Sequence, residues 1–229
     1  MRSKRLTTSL CLLPAFLLAA CGGGGGSSSN SAPPAPTQNL QSVASPAQPW
    51  SISSTTLTGT DSSGNSWTAT YSSAPSGSGT FNGQVANTST VSLTVSENGA
   101  VVSTEDSTAY YLVSPYSPLG LSGTTNGVAW TAIVTSFTAF PSTLTVGSSG
   151  PVLAANYEDS MGNVIGGLTE TYTVTADSPT ALFLNIDAAG TINGTQVTET
   201  LTYAIASDGS APTLAQAQIT VNGTTLTFQ

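Results

Sequence analysis

Glu170 and Glu199 are the two side chains whose type and position best suit carboxylate chemistry. Each is the centre of a Thr-Glu-Thr triplet and falls on the apolar register of a segment in which apolar and polar residues alternate. If the two carboxyl groups met inside a barrel, they could share a proton, or act as acid and nucleophile on a glycoside. This pair defines one candidate function, that of a carboxylate-only glycoside hydrolase or glycan-binding module.

The opposite interpretation places both glutamates at a solvated rim, near strand ends or beside a bulge. Carboxylates without a cationic partner are rarely buried, and after residue 5 no Arg, Lys or His is present to bind a sugar. We therefore expect a rim position for Glu170 and Glu199, no catalytic residue, and a protein that is not an enzyme.

The residue types that the chain lacks exclude most other chemistry. All three basic side chains lie within the first five residues, His is absent, and the eleven acidic residues all follow Cys21. This composition removes Ser-His-Asp and Cys-His nucleophiles, Schiff-base lysines and the lysine of phosphate-binding loops. A polyanion also lacks the basic patch that binds a nucleic-acid backbone. We expect no cofactor and no nucleic-acid partner.

Acidic doublets offer oxygen atoms of the kind that calcium prefers. Glu105-Asp106 and Glu158-Asp159 are such doublets, and Asp-Ser-x-Gly-Asn segments begin at Asp61 and Asp159. The spacing does not match an EF-hand loop, and the same residues suit type I turns or bulged hairpins. We predict turns there and no metal site.

A tyrosine- and proline-rich segment is the remaining candidate contact surface. Tyr110 and Tyr116 could stack on a sugar ring or a peptide. The alternative is that Tyr111 ends a strand in the core and that residues 114–120 form a long connection.

The N-terminus combines three basic residues with an eleven-residue apolar run, Leu10–Ala20, which is too short to span a bilayer as a helix. The run ends in Leu18-Ala19-Ala20-Cys21. This pattern resembles the lipoprotein signal of bacteria, which implies cleavage before Cys21 and acylation of that residue, for example with palmitate. Gly22 follows the cysteine where Asp would imply inner-membrane retention. The resemblance thus implies an outer-membrane anchor, facing the periplasm or the cell surface.

Composition divides the chain into three parts. Residues 1–20 are predicted to be the signal peptide, residues 21–49 the lipidated Cys21 with a Gly/Ser/Pro tether, and residues 50–229 a single antiparallel β domain. Cys11 leaves with the signal, so no disulfide can form in the remaining domain. The domain must be held together by its core.

Period-two alternation with Thr at every second position predicts strands throughout residues 50–229. Short turn signals such as Asn98-Gly99, Asn126-Gly127 and Asn222-Gly223 separate them. The last predicts a hairpin with the pairs Val221–Thr224, Ile219–Leu226 and Ala217–Phe228. We predict an all-β, up-and-down antiparallel meander that curls into a barrel or sandwich. Two small tandem sandwiches are the alternative, because Asp-Ser-x-Gly-Asn and Thr-x-Asn-Gly each occur twice.

In composition the chain resembles small Thr-, Ser- and Gly-rich β lipoproteins of Gram-negative bacteria whose activity is unassigned. This resemblance implies a lipid-anchored envelope protein with a non-enzymatic binding, adhesive or structural role. Its partners would be the membrane, through the N-terminal lipid, and a small-molecule, glycan or protein ligand.

Overall fold

The computed structural model describes residues 37–39, 54–61, 63–113, 115–141, 143–178, 181–206 and 212–229, and the lipobox lies outside these ranges. The described residues form fourteen strands and no helix. The all-β prediction is confirmed. The strands are β1 (Thr37–Asn39), β2 (Thr55–Thr60), β3 (Ser66–Phe81), β4 (Gln84–Glu97), β5 (Ala100–Val113), β6 (Tyr116–Thr125), β7 (Val128–Phe137), β8 (Thr143–Thr145), β9 (Ser149–Asp159), β10 (Val164–Ser178), β11 (Ala181–Ile192), β12 (Thr195–Ala206), β13 (Thr213–Val221) and β14 (Thr224–Phe228).

Twelve of these strands form one antiparallel sheet in which nearly every strand pairs with its sequence neighbours. The spatial order is β14-β13-β12-β11-β10-β9-β7-β6-β5-β4-β3-β2. This is the predicted up-and-down meander. The alternative of two tandem sandwiches is wrong, because the pairing of β7 with β9 continues the sheet across the middle of the chain.

The sheet curls until its two edge strands meet. Thr58 N–H donates to the Gln229 carbonyl at 2.9 Å, and Gln229 N–H donates to the Thr58 carbonyl at 2.8 Å. Gly59 lies at this seam, and a Cβ there would stand 2.1 Å from the carbonyl oxygen of Thr227. The absence of a side chain at Gly59 therefore lets β2 approach β14 and nearly close the sheet into a barrel.

Tight turns explain why sequence neighbours pair. Five hairpins turn on an Asn-Gly pair in which both residues have positive φ, as a two-residue type I′ turn requires. The Asn222-Gly223 hairpin has the predicted register at all three pairs. Both copies of Thr-x-Asn-Gly are such hairpins, so local turn chemistry accounts for that repeat. The turn signal at Asp208-Gly209 lies outside the described residues.

One short pairing lies outside the barrel sheet. Strand β1 pairs antiparallel with β8, which belongs to the connection between β7 and β9. Strand β1 falls within the predicted tether, residues 21–49, and its backbone pairs with β8. The division of the chain into signal, tether and domain stays a prediction. In the same connection Leu144 is fully buried, and the Phe140 ring packs on Tyr172 at 5.0 Å between centroids.

Side-chain alternation gives the barrel two chemically different faces. On β10, for example, Leu168, Tyr172 and Val174 are buried while Thr169 and Thr171 are exposed. Most of the buried apolar side chains from β2 to β14 form one continuous cluster, which is the core. Within the described ranges, the structure has no helix long and apolar enough to cross a membrane.

Candidate functional site

Glu170 and Glu199 both lie inside the barrel, near the middle of their strands. The ladder pairs Glu170 with Ala188 and Ala188 with Glu199, so the two glutamates share one face with a single strand between them. Their side chains are 1% and 5% exposed. The rim interpretation is therefore wrong. Although the pairing with β9 shifts next to Glu170, the alternation of β10 continues through it.

Glu105 is a third interior carboxyl group, at a position where the sequence predicts a turn. It lies within β5 and is 4% exposed, whereas the adjacent Asp106 is exposed on the outer face. Ser103 and Ser107 are its neighbours on the interior face of β5. Because both are small and polar, this stretch has no apolar alternation that would indicate a buried face. The turn interpretation of this doublet is wrong.

A short hydrogen-bond chain holds the Glu105 carboxyl group in place. The indole N–H of Trp130 donates to Thr125 Oγ1 at 2.9 Å, and the Thr125 hydroxyl donates to Glu105 Oε2 at 3.4 Å. The pairing of β5 with β6 sets Thr125 directly beside Glu105. One carboxyl oxygen of Glu105 thus has a partner supplied by neighbouring strands.

The three carboxyl groups reach toward each other from different walls. In the twelve-strand order β12 is third, β10 is fifth and β5 is ninth, so Glu199 and Glu105 lie six strands apart on opposite sides. The carboxyl group of Glu199 nevertheless interacts electrostatically with both Glu105 and Glu170. The interior is therefore narrow enough at this level for charges on opposite walls to influence one another.

Burial favours the neutral form of Glu105 and Glu199. Desolvation raises the pKa of Glu105 to about 8, against a smaller lowering by the Thr125 hydrogen bond. Desolvation also raises the pKa of Glu199 well above its ordinary value, and the charges of Glu105 and Glu170 raise it further. Without a cation nearby, a charged carboxylate at Glu199 is strongly disfavoured.

Tyrosine hydroxyl groups surround the carboxyl groups. Burial raises the pKa of Tyr71 and of Tyr203, and both phenols interact electrostatically with Glu199. Burial likewise raises the pKa of Tyr116, with a contribution from Glu170. The interior therefore combines three acids with three phenols, contributed by β3, β5, β6, β10 and β12.

Three oxygen atoms of this interior make no hydrogen bond to any described residue. They are Glu199 Oε2, Ser89 Oγ and Ser107 Oγ, and each belongs to a side chain that is more than nine-tenths buried. Ser107 lies on the same face of β5 as Glu105. A buried polar atom without a partner costs about 1–3 kcal/mol, so the site retains unused hydrogen-bonding capacity.

The two tyrosines proposed as ligand contacts do not form one site. Tyr110 lies on the outer face, where its ring packs on Phe81 at 4.8 Å and its hydroxyl pairs with Ser122 at 3.2 Å. Tyr116 faces the interior and contacts the rings of Tyr111 and Phe137. The predicted long connection is wrong, because Val113 pairs with Tyr116 in a tight hairpin.

The two Asp-Ser-x-Gly-Asn loops are hairpin turns, as predicted. Asp61 accepts hydrogen bonds from the backbone of Ser63 and Asn65, the Asn65 amide and the Trp67 indole, and the Asn65 bonds contribute most to lowering the Asp61 pKa to about 2. Asp159 closes its loop through Asn163 in the same way. In the described part of the chain, no three His, Cys, Asp or Glu side chains form a group that could hold a metal ion.

Searches against protein-family models, curated proteins and solved structures found no match to this chain.

Proposed function

We propose that this chain is a lipid-anchored protein of the bacterial cell envelope that binds a ligand without transforming it. Cys21 carries the acyl chains, the outer membrane holds them, and the barrel is the binding module. The observation that carries the binding role is the polar interior, which places Glu105, Glu170 and Glu199 inside a barrel that has no cationic side chain of its own.

Burial argues for binding and against catalysis on a polymer. Glycoside hydrolysis requires two carboxyl groups on either side of a scissile bond. Glu170 and Glu199 share a face, but they are 1% and 5% exposed within a continuous core, where a glycan chain cannot reach them. The burial of these carboxyl groups thus favours a small ligand inside the barrel and disfavours a polysaccharide bound in an open cleft.

The anchor is tested by growing cells that express the full chain with radiolabelled palmitate. The wild type is expected to carry the label and to fractionate with the outer membrane, because acylated Cys21 holds it there. Cys21→Ser should lose both properties, whereas Cys11→Ser, inside the predicted signal, should retain them. An unlabelled wild type would refute the lipoprotein assignment.

The rival hydrolase is tested by the double variant Glu170→Gln, Glu199→Gln on a panel of envelope and plant polysaccharides. We expect no release of reducing sugar by the wild type and therefore no difference from the variant. A wild-type activity that the double variant loses by more than about a thousandfold would establish catalysis and overturn the binding role.

A further inference from the structure

We propose that the interior carboxyl groups form a binding site for a small organic amine, with an ammonium group held by Glu199 and a second donor group directed to Glu105 on the opposite wall. This inference rests on the proposed binding function and specifies its ligand class.

The chemistry of the lining favours an ammonium group. Glu199 offers an unpartnered, buried carboxyl oxygen, and Ser107 offers an unpartnered hydroxyl beside Glu105. An ammonium group supplies three donors and a positive charge, and the phenol rings of Tyr71 and Tyr203 are surfaces of the kind on which cations are bound. An apolar molecule would leave these groups unsatisfied, and an anion would be repelled by the Glu199 carboxylate.

The placement of the acids favours an extended ligand over a metal ion. Glu105 and Glu199 project from strands six apart in the sheet order, and within the described residues no three acidic side chains form a group that could hold a metal ion. A ligand with two donor groups on a flexible methylene chain can offer one donor to each of two acids on opposite walls. A linear diamine such as 1,4-diaminobutane has this form.

The amine would enter the interior at the seam of the barrel, where β2 meets β14. Among the described residues, the backbone hydrogen bonds that join β2 to β14 are the two between Thr58 and Gln229. The wall at the seam leads directly to the site, because Tyr71 lies on β3, next to β2, and Glu199 lies on β12, two strands from β14. Transient separation of Thr58 from Gln229 would open the interior without disturbing the longer ladders.

Binding must release protons, because an ammonium group pairs with a carboxylate and not with a carboxylic acid. The titratable groups that face Glu199 are Glu105, Glu170, Tyr71 and Tyr203. All of these are neutral or anionic, so none competes with the amine as a cation. Affinity should therefore rise as the pH increases from 5 to 8.

The test is thermal unfolding of the full chain in detergent, with and without 1,4-diaminobutane, at pH 5 and pH 8. We expect the amine to raise the unfolding midpoint by about 3 °C or more at pH 8, and by less at pH 5, by mass action on the folded state. Glu199→Gln should weaken the apparent affinity at least about tenfold, since it removes the charge and keeps the shape. Glu158→Gln is the matched control, because it removes one charge from the outer face.

Three results would overturn the site: no shift at pH 8, an equal shift in Glu199→Gln, or an equal shift with sodium chloride at the same ionic strength. 1,4-Butanediol, which lacks the charge, should also be without effect. Because palmitate labelling tests the anchor separately, failure of the amine titration removes the ligand assignment and leaves the envelope assignment standing.

Discussion

Buried carboxyl groups without cationic partners are the unusual feature at the scale of single residues. Glu105, Glu170 and Glu199 occupy interior positions that apolar residues fill elsewhere in the barrel. Each must remain protonated or receive a cation from outside the chain, because charging a buried acid carries a large desolvation cost. They therefore make the interior polar and lower the free energy of unfolding at neutral pH.

Glu105→Gln should remove part of a pH dependence that is opposite to that of most proteins. The pKa of Glu105 is raised from 4.5 to about 8, so between these values the folded state binds more protons than the unfolded state. The free energy of unfolding is then highest below pH 4.5 and falls as the pH rises toward 8, by up to about 1.4 kcal/mol per pH unit for this group. Gln cannot ionise but can still accept the hydrogen bond from Thr125.

Denaturant titrations at pH 5, 6, 7 and 8 measure this slope in the wild type and the variant. Glu105→Gln should be more stable than the wild type at pH 8 and should show a shallower slope, with the remainder coming from Glu199. Glu158→Gln, on the outer face of β9, should keep the wild-type slope. An unchanged slope in Glu105→Gln would mean that its carboxyl group is not buried in solution.

Asp61 provides the opposite dependence at acid pH. Its pKa is lowered from 3.8 to about 2, chiefly by the hydrogen bonds from Asn65. Its contribution is therefore fully present above pH 3.8 and is lost as the pH falls toward 2. The free energy of unfolding of Asp61→Asn should fall less than that of the wild type as the pH is lowered from 4 to 2. Circular dichroism follows this acid unfolding. Ser63→Ala should behave as the wild type, because Ser63 contributes its backbone N–H.

At the scale of elements, hairpins and glycines decide how the sheet curls. Asn82, Asn98, Asn126, Asn193 and Asn222 each take positive φ before a glycine, which gives tight turns that match the twist of the flanking strands. Within the strands, a Cβ at Gly166 or Gly190 would collide with the backbone of the adjacent strand. Small residues at these points permit the close approach that a strongly coiled sheet needs.

Gly59→Ala should open the seam. The added methyl would meet the Thr227 carbonyl oxygen at 2.1 Å, and the atoms that must give way are backbone. We expect a loss of about 1–3 kcal/mol in the free energy of unfolding. Hydrogen exchange at the Thr58 and Gln229 amides should accelerate, while Thr60→Ala, at an exposed position of the same strand, should leave both protected. Unchanged exchange in Gly59→Ala would show that the seam is not closed in solution.

At the scale of the whole molecule, the described residues are held together by the core and by backbone pairing, with no attraction between their charged side chains. After residue 5 the chain has no Lys or Arg, and His is absent throughout, so every pair of charged side chains among the described residues repels. Raising sodium chloride from 20 mM to 500 mM at pH 7 should therefore raise the unfolding midpoint by screening that repulsion. A midpoint that falls with salt would contradict this account.

The strands, their order and most turns could be predicted from local pattern. Alternating Thr identified the outer face, and Asn222-Gly223 fixed a register that the structure reproduces pair for pair. The hairpin at Val113–Tyr116 was missed because two prolines read as a long loop, yet Pro118 is accommodated within β6, beside a shift in the pairing of β5 with β6. The β1–β8 pairing was missed because three polar residues carry no periodic signal.

The amino-acid sequence alone determined the strands, the tight turns and the lack of cationic side chains after residue 5, because each of these is a property of residues close together in the chain. Tertiary structure alone decided that the sheet curls until Thr58 meets Gln229, and that Glu105, Glu170 and Glu199 face one interior. Glu105 and Glu199, for example, interact electrostatically although they are more than ninety positions apart in the chain. Such relations depend on accumulated twist over twelve strands, which no local pattern records.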